Sequence, residues 1–104
     1  MMGIKMYCLT IRIKKNDTTD GKRTHLVILD LLKRSKISGA TIWTGIGGYG
    51  KHGASDLHIE GITVNMPLII EIIDDMSKIE SILPEIKKMV DGNGLVTIHE
   101  VESL

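Results

Sequence analysis

A chain of 104 residues, 42% of them hydrophobic, suffices for one domain around one core and is short for two. Thirteen basic residues balance thirteen acidic ones, which excludes the broad electrostatic attraction that drives non-specific nucleic-acid binding, and a single cysteine excludes an intrachain disulfide framework. Aromatic residues make up only 3% with no phenylalanine, so the core has to be built from Ile, Leu, Val and Met. No apolar run approaches the roughly 18 residues of a transmembrane helix and the N-terminus carries no signal-peptide pattern, so a cytoplasmic protein is expected.

Residues 4–13 alternate as a strand, with Tyr7, Leu9, Ile11 and Ile13 on one face and Met6, Cys8, Thr10 and Arg12 on the other. Residues 14–21 read as a polar loop whose Thr and Asp side chains offer N-cap oxygens to the next element. That element, 24–36, is a helix with Leu26, Ile28, Leu29 and Leu32 as its buried stripe, widened by Val27 and Leu31. Lys33, Arg34 and Lys36 in its last turn suit the helix dipole. His25, in its first turn, reads as a surface or cap-adjacent residue. Ser38-Gly39 stops the helix and residues 40–46 form a second strand, where Trp43 is expected in the core or a subunit interface.

The run Gly45-Ile46-Gly47-Gly48-Tyr49-Gly50, followed by Lys51, His52 and Gly53, reads as a long functional loop. Strand character returns at 57–64 and is clear at 67–74, a nearly continuous apolar run expected of an interior strand covered on both faces. Ser77 with Glu80 three residues on forms a capping box, and Ile79, Ile82, Leu83, Ile86, Met89 and Val90 follow at helical spacing. Pro84 has to kink that helix or mark a restart, because its nitrogen cannot donate. Asp91-Gly92-Asn93-Gly94 ends it, and residues 95–101 form the last strand.

The order β-α-β-β-α-β, with right-handed crossovers, predicts a ferredoxin-like α+β sandwich in one domain: a four-stranded antiparallel sheet, both helices on one face, and a long loop between the second and third strands. The other face, carrying Met6 and Cys8 among Thr10 and Arg12, has no helix to cover it, so self-association is expected.

Gly45-x-Gly47-x-x-Gly50 matches the dinucleotide-binding fingerprint letter for letter. That fingerprint needs a helix directly after the glycines to receive the pyrophosphate, and the segment that follows has no helical period. Two readings remain: a backbone amide nest for an anion, with Lys51 and His52 beside it, or a hairpin arm with turn glycines. Tyr49 either stacks on a ligand ring or packs back onto the domain. His52, His58, Asp56 and Glu60 form a loose set of metal-type ligands that fits no zinc spacing and reads as a solvated loop. No nucleophile is paired with a base and no two carboxylates can be set opposite each other, so catalysis is not expected.

The strand GATIWTGIGGYG, the long loop, the strand PLIIEIID, the helix KIESILPEIKKMV and the ending GLVTIHEV together resemble the PII-like family catalogued as domain of unknown function 190, over nearly the whole chain. More distantly, the pattern is similar to the PII nitrogen-regulatory and CutA-type proteins. The resemblance implies a homotrimer with the uncovered sheet faces turned inward. It further implies a small anionic ligand, above all a nucleotide, at the subunit cleft. Gly48-Tyr49-Gly50 matches the Gly-aromatic-Gly element at the base of the PII long loop, and Gly92-Asn93-Gly94 is the counterpart of the second phosphate loop. The ligand-binding set is therefore Gly47, Gly48, Tyr49, Gly50, Lys51, His52, Gly92, Asn93 and Gly94, with no catalytic, metal or cofactor residues. Lys87 and Lys88 lie too early in their helix to match the basic residue that PII proteins carry beside that loop, and the C-terminal basic segment has no match. The long loop has no tyrosine at its tip, so PII-type nucleotidylylation is not expected. Ligand binding is expected to order residues 51–62, which then contact a partner protein; members resembling this family are linked to fluoride-export channels, which implies a membrane transporter or channel. The alternative is a CutA-like divalent-metal trimer using His52 and His58, and a ligand-free structural adaptor is a third reading.

Overall fold

Alternating aliphatic residues in two strands and an i, i+3, i+4 stripe on each of two helices give this chain its core. The computed structural model describes residues 3–50, 53–56 and 65–104. The elements are β1 (Ile4–Lys14), β2 (Thr18–Thr19), β3 (Lys22–Arg23), α1 (Thr24–Arg34), β4 (Thr41–Thr44), β5 (Gly47–Gly50), β6 (Gly53–Asp56), β7 (Pro67–Asp74), α2 (Met76–Val90) and β8 (Leu95–Ser103). Strands β4, β7, β1 and β8 lie side by side in that order, every pairing antiparallel. The predicted ferredoxin-like sandwich is therefore the fold observed.

Leu9, Ile11 and Ile13 of β1 and Leu68, Ile70 and Ile72 of β7 meet Ile28, Leu31 and Leu32 of α1 and Ile79, Ile82, Ile86 and Val90 of α2. Burying each such side chain contributes about 1.5–3 kcal/mol, so this one layer between helices and sheet dominates stability. The α1 stripe differs from the sequence expectation: Leu26 is 55% exposed, and Thr24 takes the first buried place instead. Positions 24, 28, 31 and 32 share one side of a 3.6-residue helix, and position 26 lies well round from it.

The start of α1 is also built differently. Residues expected to form a polar loop make a tight hairpin, pairing Thr18 with Arg23 and Thr19 with Lys22. Its turn residues Asp20 and Gly21 sit at φ 51° and 81°, the left-handed pair that a two-residue Asp-Gly turn requires. No side chain caps α1. Its first amide, on Thr24, instead donates to the Asp17 carbonyl at 2.8 Å, and the Thr19 and Thr24 hydroxyls bond at 2.7 Å.

At α2 the cap is Asp75, two residues before the expected Ser77. The Asp75 carboxylate accepts the Lys78 amide at 3.1 Å and the Ser77 hydroxyl at 2.8 Å. Asp75 has the extended backbone an N-cap needs, φ −74° and ψ 159°, while Ser77 is already helical. The helix runs unbroken through Pro84 rather than restarting, held by buried Ile79 and Ile82 before it and Ile86 and Val90 after it.

Asp74 joins three segments at the end of β7. It is 2% exposed, and its Oδ2 accepts the Ser38 amide and hydroxyl, both at 3.0 Å. Its Oδ1 accepts the Asp75 amide at 2.8 Å, with the Lys78 ammonium 3.9 Å away. Burial pushes this carboxyl up, but the Ser38 and Asp75 hydrogen bonds and the Lys78 charge outweigh it and hold it below its usual range.

Candidate functional site

The face of the sheet away from the helices is ordered in rows by strand register. One row runs Trp43, Ile69, Arg12, Leu95; the next runs Thr41, Glu71, Thr10, Thr97; then come Ile73, Cys8 and His99. Trp43 is 42% exposed and Leu95 56% exposed, so Trp43 does not belong to the core of the single chain. Cys8 and Thr10 are buried even on this face, because β1 is central and neighbouring side chains close over them. Burial pushes the Cys8 thiol up, against a weaker opposing hydrogen bond from Thr10, and the nearby Glu71 charge pushes it further. Burial and a raised thiol are the opposite of the exposed, electropositive setting that activates a cysteine nucleophile. A groove of about 420 Å³ opens on the β4 side of this face, between Ser38–Thr41 and the side chains of Glu71 and Ile73.

The sequence-predicted site residues lie at the opposite end of the sheet. Where β4 ends, the Gly45 amide donates to the Pro67 carbonyl at 2.8 Å, and a Cβ at Gly45 would stand 3.0 Å from Pro67 Cγ. The chain then enters a two-stranded ribbon in which Gly47, Gly48, Tyr49 and Gly50 pair with Asp56, Ser55, Ala54 and Gly53. An amide nest needs alternating right- and left-handed residues. Among the described glycines the left-handed region is occupied by Gly21 and Gly92, not by Gly45–Gly50. Of the two readings of this run, the structure thus builds the hairpin arm. Tyr49 projects from it at 93% exposure, so it does not pack back onto the domain, and Ile46 at its base is 86% exposed. Lys51, His52, His58, Glu60 and the strand expected at 57–64 lie outside the described residues. Among the described residues no group of three His, Cys, Asp or Glu side chains could hold a metal ion.

The second predicted loop follows α2. Gly92 takes φ 80°, and the amides of Asn93 and Gly94 both donate back to the Val90 carbonyl, at 3.1 and 2.9 Å. These two donors are spent inside the turn. Gly94 itself is held against β1, where an added Cβ would lie 2.5 Å from the Arg12 carbonyl oxygen. The turn at 92–94 and the ribbon at 47–50 rise from the same end of the sheet but from opposite edge strands, β8 and β4. With β7 and β1 between them, the separation is about 14 Å at the usual strand spacing. One chain therefore does not bring the two loops together. Arg12, Pro67 and Asp74 were not singled out by motif reasoning, since each acquires its place only through strand register.

A glycine ribbon standing on a ferredoxin-like sandwich, with one sheet face bare, defines the PII-like class of this fold. Solved structures agree: the PII-like protein CPII from Thiomonas intermedia, bound to ADP, AMP and bicarbonate, matches with a TM-score of 0.76 at 19% identity over 96% of this chain and 89% of that one. A PII-like signaling protein from Thermus thermophilus matches with a TM-score of 0.71 at 14% identity over 100% and 94%. The chain belongs to the DUF190 family, described as uncharacterized ACR, whose model matches residues 6–103. Relatives include UPF0166 proteins of Methanocaldococcus jannaschii, 38% identical over 93% of this chain and 90% of that protein, and of Aquifex aeolicus, 33% identical over 98% and 96%. No helix among the described residues is long and apolar enough to cross a membrane.

Proposed function

We propose that this protein is a PII-like regulator that binds an adenine nucleotide in a cleft between copies of itself and reports its occupancy to a partner protein through the ribbon that begins at Gly47. The observation that carries this reading is the placement of the two candidate loops at one end of the sheet but on opposite edges. A head-to-tail neighbour sets the β4 edge of one copy beside the β8 edge of the next, and such a contact makes a ring where its rotation closes. A homotrimer with the bare face turned inward about the row of Ile73, Cys8 and His99, which leaves Arg12 at the mouth of the cleft, satisfies both the bare face and the divided site. The ADP and AMP held by CPII support the choice of ligand class. The exposed Tyr49 supports a ribbon that meets another molecule. The protein works by binding, without catalysis, in the cytoplasm, and the partner expected is a membrane transporter or channel.

Light scattering coupled to gel filtration, with a thermal-shift titration of ADP, AMP and ATP, tests this. Three times the 11.5 kDa chain mass is expected. At a nucleotide concentration 100 times the dissociation constant, the native state gains about 2.7 kcal/mol and the melting temperature rises accordingly. A monomer that no nucleotide stabilises overturns the reading.

A further inference from the structure

Among the described residues the turn at 92–94 has no cation of its own, and Lys51 and His52 lie outside them. The Asn93 and Gly94 amides are committed to Val90, and Lys87 and Lys88 stand on the last turn of α2, ahead of the turn. A phosphate group beside residues 92–94 needs positive charge from another element. We propose that Arg12 supplies it and is the residue that reads the nucleotide's phosphate charge, an inference that rests on the nucleotide reading above.

Three observations converge on Arg12. First, β1 and β8 pair so that Arg12 stands opposite Leu95, the residue directly after the turn. Second, the turn is fixed against the Arg12 main chain from the helix side: a Cβ at Gly94 would stand 2.5 Å from the Arg12 carbonyl oxygen, 3.1 Å from Ile13 Cγ2 and 3.2 Å from Val90 Cβ, while the guanidinium lies on the other face. Third, the guanidinium is exposed on the bare face and uncommitted to any acid among the described residues. Its contact there is a long bond from Nη1 to the neutral Thr97 hydroxyl at 3.4 Å. The other two arginines are engaged: Arg34 pairs with Asp30 at 2.9 Å, and Arg23 donates to the Asn16 carbonyl at 2.9 Å. Lys14, two residues along the same face, has an acid beside its backbone, since its amide donates to Asp17 Oδ2 at 3.0 Å.

The surroundings fit a nucleotide better than a bare anion. Arg12 is the single charge in a row otherwise made of Trp43, Ile69 and Leu95, so apolar surface for a base adjoins a planar fork that matches two phosphate oxygens. Thr97 draws the guanidinium along the sheet, away from the turn, and gives it up at little cost, because a neutral bond of that length is weak.

Isothermal titration of the intact assembly with adenosine, AMP, ADP and inorganic phosphate, for the wild type, Arg12→Gln and Arg12→Lys, tests the proposal. The Gln variant is expected to lose tenfold or more in ADP affinity, less in AMP affinity and nothing for adenosine, with Arg12→Lys recovering part of the loss and the oligomer mass unchanged. Equal losses across adenosine, AMP and ADP, no loss at all, or a smaller assembly in Arg12→Gln overturns the role of Arg12 while leaving the nucleotide reading in place. Binding of inorganic phosphate as tight as ADP overturns nucleotide reading by Arg12 in favour of a simple anion site. Failure of the wild type to bind any of these nucleotides sinks the underlying reading and this inference together.

Discussion

Asp74 shows how one buried residue ties chemistry to stability. Its carboxylate holds Ser38 and the start of α2 through charge-assisted hydrogen bonds, each worth more than a neutral one, with the Lys78 ammonium a weaker partner 3.9 Å away. Asp74→Asn is expected to cost about 1.5–3 kcal/mol, read as a lower urea midpoint, because a neutral amide cannot accept all these donors equally well. The pH dependence follows from the same contacts. The folded carboxyl titrates below its unfolded counterpart, which lies at the ordinary carboxylate value of 3.8. Its contribution is fully present above the unfolded value and is lost as pH falls through the lower folded value. Urea unfolding between pH 6 and pH 2 should therefore show a loss below about pH 4 that is smaller in Asp74→Asn. An unchanged acid limb in the variant would remove Asp74 from this account. At Gly94, an alanine methyl has no room against the Arg12 carbonyl, so Gly94→Ala should destabilise by about 1–3 kcal/mol. Gly21→Ala meets no atom within 4 Å, so its cost comes from the left-handed backbone alone, about 1–2 kcal/mol. Comparing the two melting curves separates crowding from backbone strain.

At the scale of elements, the helices and the central strands were legible because each carries its own periodicity. Residues 67–74 matched β7 from end to end, although the cover expected on both faces is present on one only: Leu68, Ile70 and Ile72 are buried under the helices, while Ile73 on the other face is 40% exposed. The misreadings fell at element ends, where two local signals competed. Ser77 and Glu80 make a good capping box by spacing, yet Asp75 captured the cap because β7 delivers it in extended geometry immediately after Asp74. This gives a discriminating pair: Asp75→Ala should lose about 1 kcal/mol of stability, and Ser77→Ala appreciably less. The reverse order would restore the sequence-derived cap. The Asp20-Gly21 turn carried a hairpin signal that the surrounding polar residues concealed, and only pairing of Thr18 with Arg23 brought it out. The glycine run, readable as nest or ribbon, became a ribbon because extended residues 47–50 found partners in 53–56.

For the whole molecule, the decisive property is that the sheet has one face packed on helices and one bare. Trp43, Ile73 and Leu95 lie on the bare face at 42%, 40% and 56% exposure. Association through this face is expected to bury Trp43 and shift its fluorescence to the blue as concentration rises. Ile73→Lys should leave a folded, helical protein by circular dichroism that runs as a monomer in gel filtration. A Lys variant of unchanged mass would mean that the bare face is not where copies meet.

The sequence by itself determined the βαββαβ order, the aliphatic core, the family resemblance and the two glycine-rich segments, because periodicity, breakers and turn residues act over neighbouring positions. Tertiary structure decided what those segments stand beside. Strand order set Gly47 and Gly94 on opposite edges of one sheet end, and register laid Arg12 against the turn at 92–94. Neither fact has a local signature, since a strand's neighbours are chosen by the burial of the entire sheet against both helices, and Arg12 acquired its place only when that pairing was complete.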